Sequence, residues 1–191
     1  MEKIYSRTKT IQEDKVSGFC PGCMHGTVMK LIGEVLDEMG LVDKTLCCLG
    51  IGCCGLQMDY IAYDNITSPH GRACAVATGV KRSNPDTLVF TYQGDGDFAS
   101  IGLAESMSAA NRGENISVIF INNGIYGMTG GQMAPTTLVG MKATTAPQGR
   151  NPAEHGYPMH MVEIMDQLKA PAFLARTSCN TPANVNKTKQ Y

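Results

Sequence analysis

Two short apolar segments, each followed at once by a polar turn, constrain the fold of this chain more than any other feature. Residues 87–92 and 116–121 are rich in β-branched and aromatic side chains and do not alternate with polar residues. Continuous apolar strands of this kind are typical of a parallel sheet buried on both faces. The segment between them, residues 99–111, is predicted as a helix that leads the chain back. The unit therefore predicts an α/β fold.

The rest of the chain continues the alternation of strands and helices. Apolar residues recur at helical spacing before Gly40, and Asn84-Pro85 ends a second helix that is rich in small residues. We predict a mostly parallel sheet with helices on both faces. Helices are predicted at residues 28–39, 73–82, 99–111 and 161–168, and strands at 46–51, 87–92, 116–121 and 172–177. Residues 124–158 are rich in Gly, Pro, Thr and Met without a sustained period, which is typical of a functional loop.

Size and charge limit the classes of protein to which the chain can belong. Its 191 residues suit one domain, residues 1–191. Sixteen basic and seventeen acidic residues give a net charge of -1, so no broad electrostatic field favours nucleic acid or anionic lipid. The sequence has no apolar run of about 18 residues and no apolar stretch near its N-terminus. We expect a cytoplasmic protein without a membrane span.

The polar turns after the two strands predict a metal site. Strands of one parallel unit end at the same edge of the sheet, so Asp95 and Asn123 should converge there. Asp95 offers an anionic oxygen, Asn123 an amide oxygen and Ile125 a main-chain carbonyl, and this set suits Mg²⁺. Gly94 and Gly96 let the backbone approach a ligand closely.

The spacing of these turns resembles the signature of thiamine-diphosphate enzymes. Gly94-Asp95-Gly96 is followed by twenty-five residues and then Asn122-Asn123. The resemblance implies a thiamine-diphosphate-binding fold, in which Asp95, Asn123 and Ile125 hold Mg²⁺ and the diphosphate lies nearby. The residues that it places against the cofactor are Gly94, Asp95, Gly96, Asp97, Asn123, Ile125, Tyr126, Gly127, Met128 and Thr129. The alternative is that both motifs are ordinary turns.

Eight cysteines in a chain expected in the cytoplasm favour metal or redox chemistry over disulfides. The motif Cys20-Pro21-Gly22-Cys23 alone is compatible with a redox pair, half a zinc site or half an iron-sulfur site. It is followed by Ile51-Gly52-Cys53-Cys54-Gly55 and His70-Gly71-Arg72-Ala73, both before the diphosphate motif. That order resembles the thiamine-diphosphate-binding (beta) subunit of 2-oxoacid:ferredoxin oxidoreductases over essentially the whole chain.

This second resemblance implies a [4Fe-4S] cluster held by Cys20, Cys23 and Cys53. Cys54 occupies a usually small polar position in that family. The cysteines predicted to be buried as small apolar residues are Cys47, Cys48 and Cys74. The family places a fourth ligand beyond the last strand, and Cys179 follows that strand too closely to match. We therefore expect either that the chain lacks a C-terminal segment or that the cluster is bound differently.

The resemblance also implies the reaction and its partners. Members catalyse coenzyme A-dependent oxidative decarboxylation of a 2-oxoacid to acyl-CoA, and electrons pass through the cluster to ferredoxin. A pyrimidine-domain (alpha) subunit and other subunits complete the enzyme. We expect His70 and Arg72 to act near the cofactor or substrate, although a loop histidine and a surface arginine are the alternatives. Residues 124–141 contain no Lys or Arg, which favours pyruvate or a branched-chain acid over 2-oxoglutarate.

Two other functions remain open from the sequence. A non-oxidative thiamine-diphosphate decarboxylase or synthase would share the diphosphate motif but would not need the cysteines. A zinc-stabilised assembly module would use Cys20, Cys23, Cys53 and Cys54 as a tetrahedral site.

Overall fold

The centre of the protein is a four-stranded sheet in which every strand is parallel to its neighbours. A computed structural model describes residues 7–191. The strands run in the order β2-β1-β3-β4 across the sheet. Their bounds are β1 Thr45–Leu49, β2 Asp64–Thr67, β3 Leu88–Gly94 and β4 Ser117–Ile121. The predicted α/β class with a parallel sheet is confirmed.

Side chains of β1 alternate between two hydrophobic cores, one on each face of the sheet. Cys47 and Leu49 pack with Tyr92 in the core beneath the first helix. Cys48 points the other way and packs with Ala77 of the second helix. Cys47, Cys48 and Leu49 are fully buried, so the two thiols of this strand serve as small apolar groups.

Helices cover both faces of the sheet, as predicted. The first helix lies on one face, and α2, α3 and α5 contribute to the cores of the other face. The helices are α1 Met24–Glu38, α2 Ala73–Ser83, α3 Leu103–Asn111, α4 Pro152–His155, α5 Met161–Asp166 and α6 Pro182–Gln190. Gly40 follows α1 with a positive φ of 65°, a conformation that favours glycine and ends the helix.

One strand of the four-stranded sheet was not predicted, and one predicted strand is absent. The missed strand of this sheet is β2, whose four residues are all exposed at the edge of the sheet and carry no apolar pattern. The prediction of a strand at residues 172–177 is wrong, because this segment has irregular backbone. Phe173 is 64% exposed, and no strand pairs with the segment. A β-favouring composition does not make a strand without a partner.

Residues 124–158 form the long loop that the sequence predicts. It begins with a short antiparallel hairpin of β5 (Ile125–Tyr126) and β6 (Gln132–Met133) and contains α4 near its end. The loop starts directly beyond β4, so it covers the carboxyl edge of the sheet.

No helix within residues 7–191 has both the length and the apolar character that crossing a membrane requires.

Candidate functional site

The turns after β3 and β4 lie side by side at the carboxyl edge of the sheet. Gly94, the last residue of β3, is in register with Ile121, the last residue of β4. The structure brings Asp95 and Asn123 together at this edge, as the spacing predicts. The backbone N–H of Ile125 lies 3.1 Å from Asp95 Oδ2 and 3.3 Å from Asn123 Oδ1, and it donates to both oxygens.

The carboxylate of Asp95 is buried, and it accepts hydrogen bonds from neutral donors. Oδ1 accepts from the backbone N–H of Gly96 at 2.9 Å, and Oδ2 accepts from Ile125 N–H and from the hydroxyl of Thr136, both at 3.1 Å. Burial raises the pKa of Asp95, and these donors oppose the shift. A buried anion without a bonded cation is costly. The oxygens of Asp95, Asn123 and Ile125 therefore fit a divalent cation, which would offset the negative charge of Asp95.

Thr136 is a site residue that the sequence did not reveal. Its side chain is 3% exposed and its hydroxyl donates to Asp95. The neighbouring Thr137 donates to the carbonyl of Gly124 at 2.6 Å, which fixes this part of the long loop over the turn after β4. No spacing rule connects residue 136 to residue 95, since the contact depends on how the loop folds back.

The two glycines of the turn have different surroundings. A Cβ added to Gly94 would meet no atom within 4 Å, so the space beside it is open. A Cβ added to Gly96 would lie 1.9 Å from the ring of Tyr126. Gly94 therefore leaves room for a ligand at the sheet edge, whereas Gly96 is needed because Tyr126 packs directly on it.

The hairpin after Ile125 carries the remaining residues expected to touch a diphosphate. Met128 is 52% exposed at its tip. The hydroxyl of Thr129 donates to Gln132 Oε1 at 2.6 Å, so it is used within the hairpin. A Cβ on Gly127 would lie 3.3 Å from the sulfur of Cys53. Burial raises the pKa of that thiol, and the backbone N–H of Met128 is near enough to oppose the shift. Residues 51–55 around Cys53, here called the cysteine loop, are thus in contact with the hairpin.

Asp97 and His70 form a pair beneath the sheet edge. His70 Nδ1 lies 2.6 Å from Asp97 Oδ1, and the Asp97 side chain is buried. Arg72 is held elsewhere: its guanidinium pairs with Glu105 of α3 at 3.0 Å. His70 is therefore bonded to Asp97, the residue directly after Gly94-Asp95-Gly96, whereas Arg72 is paired with Glu105 of α3.

Three of the eight cysteines lie near one another. Cys20 and Cys23 share one turn, in which Cys23 N–H donates to the carbonyl of Cys20 at 3.0 Å. Burial raises the pKa of Cys53, and charge on the thiols of Cys23 and Cys20 raises it further, so the three thiols are close enough to interact. Within residues 7–191, however, no group of three or more His, Cys, Asp or Glu side chains is arranged as a metal site.

Four of the other cysteines, Cys47, Cys48, Cys54 and Cys74, are buried. Burial raises the pKa of Cys48 and Cys54 to about 12 and that of Cys74 to about 11. Cys54 is 1% exposed although it adjoins Cys53. The predicted burial of Cys47, Cys48 and Cys74 is confirmed.

Contacts of α6 place Cys179 toward the C-terminal half of α1. The preceding carbonyl, that of Ser178, accepts from Thr188 of α6, and Lys189 of the same helix binds Glu34 and Glu38 near the end of α1. Cys23 precedes the start of α1. Glu34 is eleven residues further on, which corresponds to about 16 Å along the helix.

Comparison with known proteins agrees with this geometry. A family model described as thiamine pyrophosphate enzyme, C-terminal TPP binding domain, matches residues 50–189. Ketoisovalerate oxidoreductase subunit VorA of Methanothermobacter thermautotrophicus is 49% identical over 172 residues, covering 90% of this chain and 36% of that protein. The 2-oxoglutarate synthase subunit KorB of Methanocaldococcus jannaschii is 41% identical over 148 residues, covering 76% of this chain and 55% of that protein.

A solved structure also shares the fold. It is the 2-oxoglutarate:ferredoxin oxidoreductase from Magnetococcus marinus with 2-oxoglutarate, coenzyme A and succinyl-CoA bound. The TM-score is 0.76 at 32% identity, and the match covers 84% of this chain and 54% of that chain. The chain thus spans about a third to just over half of the length of these relatives.

Proposed function

Because the chain belongs to the thiamine pyrophosphate enzymes through their C-terminal TPP-binding domain, we propose that it forms the thiamine-diphosphate-binding part of a 2-oxoacid:ferredoxin oxidoreductase. The reaction is the oxidative decarboxylation of a 2-oxoacid to acyl-CoA. Support comes from the names of the relatives and from the 2-oxoacid and coenzyme A bound in the similar solved structure.

The sheet edge supplies the groups that would hold the cofactor. Asp95 and Asn123 offer side-chain oxygens for Mg²⁺, and Ile125 offers its carbonyl. The open space beside Gly94 allows the diphosphate to approach the backbone. When bound, thiamine diphosphate supplies the carbanion chemistry that decarboxylation of a 2-oxoacid requires.

The observation that carries the proposal is the contact between the cysteine loop and the hairpin. Cys53 lies against Gly127, which is two residues beyond Ile125, the residue of the proposed Mg²⁺ carbonyl. A [4Fe-4S] cluster held by Cys20, Cys23 and Cys53 would therefore lie beside the cofactor, where it can accept electrons one at a time. A non-oxidative thiamine enzyme has no use for this arrangement.

The zinc alternative requires Cys54 as a fourth thiolate. Cys54 is buried, whereas Cys53 beside it is partly exposed. The side chain of Cys54 is also directed into the core formed around β1 and β3. These properties favour the iron-sulfur assignment.

Residues 124–141 of the long loop contain no cation, and Arg150 further along the loop is not available to a ligand, which favours a monocarboxylic substrate. Arg150 is buried and its guanidinium is bonded to backbone carbonyls, so it has no donors left for a distal carboxylate. The 49% identity to a ketoisovalerate oxidoreductase subunit points the same way. In the assembled enzyme, kcat/KM for pyruvate or a branched-chain 2-oxoacid should exceed that for 2-oxoglutarate, and the reverse order would contradict this assignment.

The remaining parts of the enzyme are partners of this chain. We propose a pyrimidine-domain (alpha) subunit, further oxidoreductase subunits and ferredoxin as partners, with coenzyme A as co-substrate. A single domain, residues 1–191, contributes the diphosphate half of the site. We propose the cytoplasm as its location.

The cofactor assignment is tested by Asp95→Ala in the assembled complex. Mutation of a residue that supports a metal ligand typically lowers metal affinity roughly 10- to 100-fold. Loss of the anionic ligand itself should lower it more. Calorimetry should therefore show Mg²⁺-dependent thiamine diphosphate binding weakened by more than about 100-fold. The exposed Asp86→Ala is the matched control. Unchanged affinity in Asp95→Ala would remove the basis of the assignment.

The cluster assignment is tested with three cysteine variants prepared without oxygen. Iron and sulfide per complex should fall in Cys53→Ala and stay unchanged in Cys54→Ala and Cys179→Ala. Substrate plus coenzyme A should bleach the visible absorbance of the wild-type complex. Zinc without iron, lost in Cys54→Ala, would support the assembly module, and full iron without bleaching would support the non-oxidative enzyme.

A further inference from the structure

The side chain of Asp97 accepts four hydrogen bonds near the sheet edge. It is 1% exposed. Its Oδ1 accepts from His70 Nδ1 at 2.6 Å, Gly71 N–H at 2.8 Å and Ile51 N–H at 3.1 Å. Its Oδ2 accepts from Gln93 Nε2 at 2.5 Å. Both carboxylate oxygens are thus bonded to donors of the protein.

These bonds join the turns that follow three adjacent strands. Ile51 follows β1, His70 follows β2, and Asp97 itself follows β3. Gly50 lies so close that a Cβ there would be 2.6 Å from Asp97 Oδ2. The amide of Gln93 is fixed from its other side, because its Oε1 accepts from the thiol of Cys74 at 3.2 Å. Asp97 therefore has little freedom to move.

This arrangement gives His70 a defined orientation. A carboxylate oxygen that already accepts two backbone N–H groups must also accept from the ring, so Nδ1 of His70 carries a proton. In the neutral imidazole, Nε2 is then unprotonated and is a hydrogen-bond acceptor. The His70 side chain is 33% exposed, whereas Asp97 is fully buried. The exposed part of the ring is consequently the side away from Nδ1.

We propose that Asp97 is a positioning residue that fixes the orientation and tautomer of His70 and so presents Nε2 as an acceptor to the ligands of the sheet edge. This role rests on the proposed function and replaces a direct contact between Asp97 and the diphosphate. An anionic carboxylate whose oxygens are already bonded has no favourable contact to offer an anionic ligand.

Asp97→Asn removes the negative charge of this side chain but keeps an oxygen that can orient His70. Ile51 N–H and Gly71 N–H are backbone donors and cannot change roles, so the amide oxygen must occupy the Oδ1 position. That oxygen still accepts from His70 Nδ1. The amide nitrogen then faces Gln93, whose side chain must flip to accept from it, and the amide nitrogen of Gln93 then donates to the sulfur of Cys74 in place of the present bond. Asp97→Asn should keep the tautomer of His70, whereas Asp97→Ala removes the partner that fixes it.

The first measurement reads the tautomer directly. The complex is assembled with this chain labelled with ¹⁵N-histidine, and solid-state NMR distinguishes protonated from unprotonated ring nitrogens. His70→Gln identifies the His70 signal among the four histidines. Wild type and Asp97→Asn should show protonated Nδ1 and unprotonated Nε2, and Asp97→Ala should show a mixture. A wild-type His70 with its proton on Nε2 would overturn the proposal.

The second measurement asks whether Asp97 acts through His70. Loss of one oriented hydrogen bond corresponds to about tenfold or more in kcat. Asp97→Ala and His70→Gln should each show this loss, the double variant should lose no more than His70→Gln, and Asp86→Asn should match wild type. Additive losses would overturn the proposal. A wild-type complex that does not oxidise 2-oxoacids contradicts the proposed function instead, and the tautomer result still decides the role of Asp97.

Discussion

At the residue scale, the candidate site depends on the hydrogen bonds that surround the buried carboxylate of Asp95. Asp95 accepts from two backbone N–H groups and one hydroxyl, and burial nevertheless raises its pKa. The hydroxyl belongs to Thr136, which holds Asp95 Oδ2 from the loop side. Groups that orient a metal ligand in this way contribute to metal affinity without touching the metal.

Thr136→Val tests this supporting role. Valine has nearly the same shape, so the variant removes the hydroxyl donor while it fills the same buried space. We expect Mg²⁺-dependent thiamine diphosphate affinity to fall about tenfold, measured by calorimetry on the assembled complex. Thr144→Val, at an exposed position of the same loop, should bind like wild type. Equal affinities in the two variants would show that Thr136 does not support Asp95.

The sequence predicted the part of the site that follows from local order along the chain. Asp95 and Asn123 each come directly after an apolar strand, so the edge that they share could be inferred. Thr136 and the bonds of Asp97 depend on contacts between distant turns, for which the sequence contains no periodic signal. Gln93 gave a weak indication of a buried polar contact, because it is a polar residue in a mainly apolar strand.

At the element scale, the long loop is held by one buried cation. The guanidinium of Arg150 donates to carbonyls in two separate stretches of the loop. One stretch is residues 134–137, which includes Thr136, and the other is residues 155–157 at the end of α4. Arg150 therefore joins the segment that supports Asp95 to the end of the loop.

Arg150→Met should destabilise the protein by about 3 kcal/mol or more. Methionine fills much of the space but donates no hydrogen bond, and each buried carbonyl left without a partner costs about 1–3 kcal/mol. Arg150→Lys should be intermediate, since an ammonium has three donors. Urea unfolding measures these differences.

The control for Arg150 is an arginine on the surface. Arg112→Met removes a partly exposed ion pair with Glu114, which should cost about 1 kcal/mol or less. If Arg150→Met were no more destabilising than Arg112→Met, the loop would not depend on the buried guanidinium.

The strands show what local pattern could and could not predict. β1, β3 and β4 are apolar segments whose bounds lie within two residues of the predicted ones. β2 was missed because an exposed edge strand needs no apolar face, and its pairing with β1 supplies the hydrogen bonds. Residues 172–177 were wrongly predicted because composition does not report whether a neighbouring strand is available.

At the scale of the whole molecule, the candidate site lies on an open surface. Apolar side chains near the cysteine loop and the long loop remain exposed, including Ile51 at 39%, Met128 at 52% and Leu138 at 62%. Exposed apolar groups around a site are typical of a surface that another subunit covers. The proposed pyrimidine-domain subunit would cover this edge and exclude water from it.

We therefore expect this chain to be inactive alone. Thiamine enzymes activate the cofactor with a glutamate from the pyrimidine-binding domain, and the proposed half-site contains the diphosphate residues only. The purified chain supplied with thiamine diphosphate, Mg²⁺, coenzyme A, ferredoxin and a 2-oxoacid should form no acyl-CoA. Adding the partner subunits should restore activity to wild-type chain but not to the Asp95→Ala chain, because the Mg²⁺ site must come from this side. Turnover by the chain alone at a rate like that of the complex would show that it holds a complete site.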